Sequence, residues 1–259
     1  MELLDWKNLV SGLQERIEGV LTVGVFDGLH LGHQELINAV VTSGLKGEKI
    51  LITFKNNPAS LLRPFEFKGN LLSIRQKLEK IEKLGIERVI LIDFSEDFSK
   101  IAGREFIKVL MNSINIQKMV IGKDFRFGYH RTIGKENLGN LIMPAMLEVV
   151  EPVDIENQKV SSSRIRDLIL KGQIHQANQL LGYAFSIDVR QIKQSDYASS
   201  CQIYKNAIHQ ILPDYGEYDA IIEAKTTRFS AKVIMTEEFL NIRTVAYNSC
   251  DEIKYITFV

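Results

Sequence analysis

Through the first two-thirds of the chain, short β-branched apolar runs alternate with segments whose apolar residues recur every three or four positions. The runs are VLTVGVF (20–26), KILITF (49–54), RVILIDF (88–94), KMVIG (118–122) and MLEVVEPV (146–153). Between them HQELINAVVTSG, LLSIRQKLEKIEKLG and AGREFIKVLMNSI carry helical spacing, with Gly44 and Gly85 where helix ends are expected. Strands joined by crossover helices pair in parallel, and the helices then cover both faces of the sheet. The alternation therefore predicts an α/β fold built on a doubly wound parallel sheet.

SSSRIRDLILKG and QIHQANQLLG add two more helices, with serines as N-cap candidates and Gly172 and Gly182 at the ends. After Gly182 the pattern changes. FSIDVRQI, CQIYKNAI, YDAIIEAKTTRFSAKVIM and EIKYITFV read as strands, with a hairpin turning near Thr226 and Thr227. The expected division is residues 1–183 as one domain and 184–259 as a small β-rich domain, which suits a chain of 259 residues.

Lys plus Arg equals Asp plus Glu at 32 each, which argues against a general nucleic-acid binder. The N-terminal MELLDWKNLVSGLQ lacks the apolar core of a secretory signal, and no run approaches a membrane span. Cys201 and Cys250 form no CxxC pair and sit near no histidine cluster, as expected of two reduced thiols in the cytoplasm.

Three segments carry candidate chemistry. In TVGVFDGLHLGHQELINAV (22–40) a strand gives way to a glycine-containing turn and a helix start. Free backbone N–H groups and the positive helix end suit phosphate there; Gly28 and Gly32 permit close approach, and His30 and His33 can aim ring N–H groups at the same oxygens. In VIGKDFRFGYHRTIG (120–134) Lys123, Arg126 and Arg131 interleave with Phe125, Phe127 and Tyr129. That mixture suits a ring-bearing phosphorylated ligand, or equally a solvated loop anchored by two core phenylalanines. In VSSSRIRDLILKG (160–172) serine hydroxyls at a helix start precede Arg164 and Arg166, which fits either anion binding or simple capping. His130, His175 and His209 have no motif around them and are expected at the surface.

In combination, GVFDGLHLGHQELI, GKDFRFG and SSSRIRDLILKGQIHQANQLLG resemble, in order and spacing, the motifs of bacterial FAD synthetases, the adenylyltransferase module of bifunctional riboflavin kinase/FMN adenylyltransferases in the HxGH nucleotidylyltransferase superfamily. FSKIAGREFIKVLM is similar to the family's intervening helix, so the resemblance covers about residues 15–186. It implies a Rossmann-like fold and the reaction ATP + FMN giving FAD and pyrophosphate. By the same resemblance His30 and His33 contact the ATP phosphates, while Ser162, Ser163 and Arg166 grip the β- and γ-phosphates. Gly24, Phe26, Asp124 and Phe125 are then expected around adenosine, with Phe127 and Asp27 beside them, Asp27 shaping the loop. Magnesium is expected to be held by phosphates and water, with no metal site of the protein's own. The implied partners are the small molecules ATP and FMN, with no nucleic acid, no membrane and no signal for oligomeric state.

Two departures stand out. TFKNNP (53–58) occupies the place of a TFxPHP-like segment, so Lys55, Asn56 and Asn57 replace residues expected near the nucleotide or the flavin phosphate. Beyond residue 183 the family's PTAN motif and Gly-rich phosphate loop are missing, so the resemblance implies that riboflavin kinase activity is absent and that the domain is a reduced kinase-like barrel. Transfer to another phosphorylated acceptor, and non-catalytic binding of flavin or nucleotide in a regulatory role, are the alternative readings.

Overall fold

A computed structural model describes residues 1–12, 16–190, 192–197, 200–243 and 252–259. The chain divides into two compact units, one of residues 1–67 with 78–159 and one of residues 68–77 with 160–259. The sequence-based boundary at 183 follows the change from one sheet pattern to the other, whereas packing places the two helices before it in the second unit.

The first unit is built on a six-stranded sheet in the order Glu2–Asp5, Arg88–Ile92, Glu48–Phe54, Ile17–Val23, Ile114–Gly122, Met146–Val150. Every pairing in it is parallel. The central strands are buried along nearly their whole length, which explains why they read as continuous apolar runs and not as alternating ones. Helices Ile74–Lys83 and Gly103–Ser113 fall within the segments with helical spacing, and Leu31–Val41 begins two residues before its segment. One edge strand, Glu2–Asp5, carries no such signal: it is four residues long and holds two acids. Those acids have local tasks, Glu2 binding Arg88 and Asp5 capping the Trp6–Val10 helix.

Strand order fixes where a ligand can enter. From Ile17–Val23 the chain winds outward through Glu48–Phe54 to Arg88–Ile92, then returns to place Ile114–Gly122 on the other side of Ile17–Val23. The direction of winding reverses between these two neighbours, and open parallel sheets bind ligands outside the carboxyl ends of strands at such a reversal. Both the histidine segment and the GKDFRFG segment leave the sheet there.

The second unit holds helices Ser162–Leu170 and Ile174–Leu181 and a seven-stranded antiparallel sheet. Its strand order is Ser186–Asp188, Ile253–Phe258, Gly216–Ala224, Arg228–Met235, Phe239–Arg243, Ser200–Tyr204, Gln194–Tyr197. The expected hairpin is present, with Ala224 N donating to Thr227 O at 2.9 Å. The strand read from CQIYKNAI stops at Tyr204, because Lys205–Ala207 turn as a 3-10 segment. Cys201 is buried in this sheet; Cys250 lies outside the described residues. Among the described residues no helix is long and apolar enough to cross a membrane.

Candidate active site

The first loop begins where Ile17–Val23 ends, with Gly24 N still donating to Ile52 O at 3.1 Å. Phe26, Gly28 and Leu29 then take positive φ values of 50°, 84° and 39°. A bulky residue holds such a conformation only where its surroundings over-determine it, and here they do: Phe26 and Leu29 are at most 1% exposed. A Cβ at position 24 would lie 3.1 Å from the Phe26 ring, so Gly24 is what lets that ring fold back beneath the loop. The ring lies 5.2 Å from that of His33. Phe26 thus supports the histidine from inside the core and has no face open to a ligand.

His30 is the N-cap of the Leu31–Val41 helix, a position usually held by Ser, Thr, Asp or Asn. Its Nδ1 accepts from His33 N at 3.4 Å, which assigns the neutral ring's proton to Nε2. The two imidazoles stack at 3.7 Å, and two cations would repel strongly at that separation. His30 is 6% exposed, and burial pushes its pKa from 6.5 down to about 4, with the Lys159 ammonium adding to the shift. Near neutral pH the site therefore presents a neutral N–H donor held in a fixed direction.

Each residue of the unusual KNN stretch has local work. Lys55 pairs with Asp5. Asn56 accepts from Phe94 N at 2.8 Å and donates to Phe94 O at 2.7 Å, tying two strand ends together. Asn57 caps the Pro58–Leu62 helix through Ala59 N and donates to Asp27 Oδ2 at 3.3 Å. Asp27 is 3% exposed and Asn57 8%, so this pair braces the histidine loop from below.

The second loop leaves Ile114–Gly122, the hydrogen-bonded neighbour of Ile17–Val23. Phe125 and Phe127 stack at 5.3 Å and pack against the core, so they anchor the loop. The charged residues face outward around a cleft of about 380 Å³ lined by Lys123, Asp124, Phe125, Arg126, Arg131, Lys135 and Glu136. Lys123 pairs with Glu151 at 2.9 Å. Arg126, Arg131 and Lys135 form no ion pair among the described residues, which leaves the cleft with a surplus of positive charge. Asp124 pairs with Lys159, whose hydrogen bond holds the carboxyl below its usual range.

Lys159 is the residue that the sequence reading missed. It pairs with Asp124, yet its only sequence signal is its position just before the serine run. In the second unit, Ser161 caps the Ser162–Leu170 helix through Arg164 N at 3.3 Å, leaving Ser162 and Ser163 in the first turn. Arg166 Nε donates to Gly69 O at 3.0 Å. His130, His175 and His209 are exposed, as expected. Among the described residues no three His, Cys, Asp or Glu side chains converge as a metal site.

Comparison with known proteins follows the same lines. The FAD synthetase family profile matches residues 13–164. A bifunctional riboflavin kinase/FMN adenylyltransferase of Buchnera aphidicola is 32% identical over 178 residues, 67% of this chain and 57% of that protein. A Listeria monocytogenes protein named FAD synthetase is 31% identical over 172 residues, 65% of this chain and 70% of its own length. The chain thus spans little more than half the length of the bifunctional relatives it matches. A crystal structure of a protein named macrolide-efflux protein, from Streptococcus pneumoniae, covers 100% of this chain and 89% of its own with a TM-score of 0.84. At 23% identity that likeness shows the fold alone.

Proposed function

The chain belongs to the FAD synthetase family, and from that premise we propose that it transfers the AMP group of ATP to the phosphate of FMN, releasing FAD and pyrophosphate. The observation that carries this reading is the origin of two phosphate-suited loops at neighbouring strand ends, where the parallel sheet reverses its winding. Such a pair can hold a nucleotide triphosphate from one side and a second anionic substrate from the other.

The chemistry asks little of acid–base groups. A phosphate oxygen of FMN, already anionic near neutral pH, forms a bond to the α-phosphorus as the bond to the β-phosphate bridging oxygen breaks. The electron pair leaves with pyrophosphate. Catalysis then consists of positioning two polyanions and stabilising charge that grows on the leaving group. His30 offers Nε2–H and His33 its ring to the ATP phosphates, and the helix start at Leu31 and Gly32 adds its dipole. Phe26 and the Asp27–Asn57 pair hold the loop in shape. Asp124 with Lys159 and the cationic cleft receive the polar parts of the substrates. Ser162, Ser163 and Arg166 are proposed to bind the departing phosphates in the same reaction. Magnesium is proposed to arrive with ATP, coordinated by phosphate oxygens and water.

The absence of a PTAN motif and a Gly-rich phosphate loop supports a chain without riboflavin kinase activity. We place the reaction in the cytoplasm, where ATP and FMN are available. The test is pyrophosphate release from ATP and magnesium with FMN, riboflavin, nicotinamide mononucleotide or phosphopantetheine as acceptor. Release with FMN alone is the expected result. Release with another acceptor reassigns the substrate, and ADP formed with riboflavin overturns the claim about kinase activity.

A further inference from the structure

In the second unit, residues 69–76 form a strap laid against the segments that contain Ser186–Asp188 and Ile208–Ile211. Asn70 pairs with Gln210 as a parallel bridge, and Ile211 N donates to Asn70 O at 2.9 Å. The approach is backbone to backbone. Gly69 has φ +112°, and a Cβ there would lie 2.9 Å from Ile211 N. Only glycine fits that contact without strain.

Two buried glutamines secure the strap. Gln210, 7% exposed, donates through Nε2 to Leu71 O and Ser186 O at 3.1 Å each and accepts from Asp188 N at 2.8 Å. Gln76, 3% exposed, donates to Ser186 O at 3.1 Å and to its Oγ at 2.9 Å, and accepts from Ser73 N at 2.9 Å. Ser73 in turn donates to Asp188 Oδ2 at 2.9 Å, and Arg190 holds the same carboxylate. A buried amide with all these groups satisfied specifies one arrangement, because any shift leaves polar atoms unpaired. At the head of this strap stands the Gly69 carbonyl, which accepts from Arg166 Nε at 3.0 Å.

We propose that the C-terminal sheet serves the transfer reaction by aiming Arg166: Gln210 fixes the strap, and the strap's Gly69 carbonyl orients the guanidinium. The inference rests on the reading of Arg166 as a phosphate ligand given above. Gln210 and Gly69 are positioning residues, acting through Arg166 and touching no substrate. An arginine side chain free in solution samples many rotamers, and anchoring its Nε removes that freedom before the substrate arrives. Residues 184–259 thereby have a task that requires no catalytic motif of their own.

The experiment is a double-mutant cycle on the full chain, reading pyrophosphate release from ATP and FMN. Parent and Arg166→Ala are measured first: no release by the parent overturns the proposed reaction, and parental turnover in Arg166→Ala overturns the role of Arg166. Gln210→Leu, shown folded by circular dichroism, is expected to lower kcat about 10-fold or more in the parent background. In the Arg166→Ala background the same change is expected to lower kcat less than about twofold, since the group it acts through is gone. An equal loss in both backgrounds, or parental kcat in folded Gln210→Leu, overturns the proposal. Should Gln210→Leu not fold, Gly69→Ala, which leaves both glutamines in place and displaces the strap from Ile211, is read in the same two backgrounds against the same outcomes.

Discussion

The two loops that leave neighbouring strands meet water in opposite ways. The loop after Val23 is folded inward: Phe26, Asp27, Leu29 and His30 are all buried, with Asp27 bonded to Asn57 and His30 to His33 N. The loop after Gly122 is anchored by Phe125 and Phe127 but turns Lys123, Arg126 and Arg131 to solvent. In the proposed reaction the contrast divides the labour between the two loops. Directed hydrogen bonds need a dry, rigid frame, whereas attraction of a polyanion works through long, hydrated side chains.

Four measurements break or sharpen that contrast. The largest effect is expected from Phe26→Ala, which removes a fully buried ring under the histidines and should cost about 3–5 kcal/mol of stability by urea denaturation. A loss below about 1 kcal/mol would show that the first loop is not held by its core face. His33→Ala should lower kcat about 100-fold, or about 3 kcal/mol of transition-state stabilisation, with the melting temperature little changed. Turnover within a few-fold of the parent would remove His33 from the site.

The third concerns pH. Burial lowers the His30 pKa from 6.5 to about 4, so between these values the unfolded chain binds the proton more readily than the folded one. Stability is full above about pH 6.5 and declines as pH falls toward 4, by about 3 kcal/mol in all. His30→Asn, which keeps a capping oxygen, should flatten that decline, and His30 itself should titrate near 4 by NMR. A midpoint near 6.5 would mean that the ring is exposed to water. The smallest effect belongs to the outer loop: the double variant Arg126→Ala, Arg131→Ala should raise KM about threefold and weaken its dependence on salt, with kcat nearly unchanged. A large fall in kcat would place those arginines at the reacting atoms.

The legibility of these features in the sequence follows from their physics. Buried parallel strands and crossover helices leave periodic signals, so the sheet could be read directly, and glycines with histidines at a strand-to-helix junction marked the first loop. Glu2–Asp5 was hidden because a short edge strand with two acids has no period. Lys159 was hidden because its partner, Asp124, comes from another part of the chain. The KNN stretch was read for ligand contact, and its bonds to Asp5, Phe94 and Asp27 came into view only when the strand ends were set side by side. Gln210 lay within no motif at all, since a buried amide is specified by the backbone groups around it and not by its sequence neighbours.

The central claim, that these loops join ATP to FMN, is tested most directly by chromatography of the products after incubating the purified chain with ATP, magnesium and FMN. The account predicts FAD and pyrophosphate in equal amounts. Binding of both substrates, measured by calorimetry, with no FAD formed would contradict it.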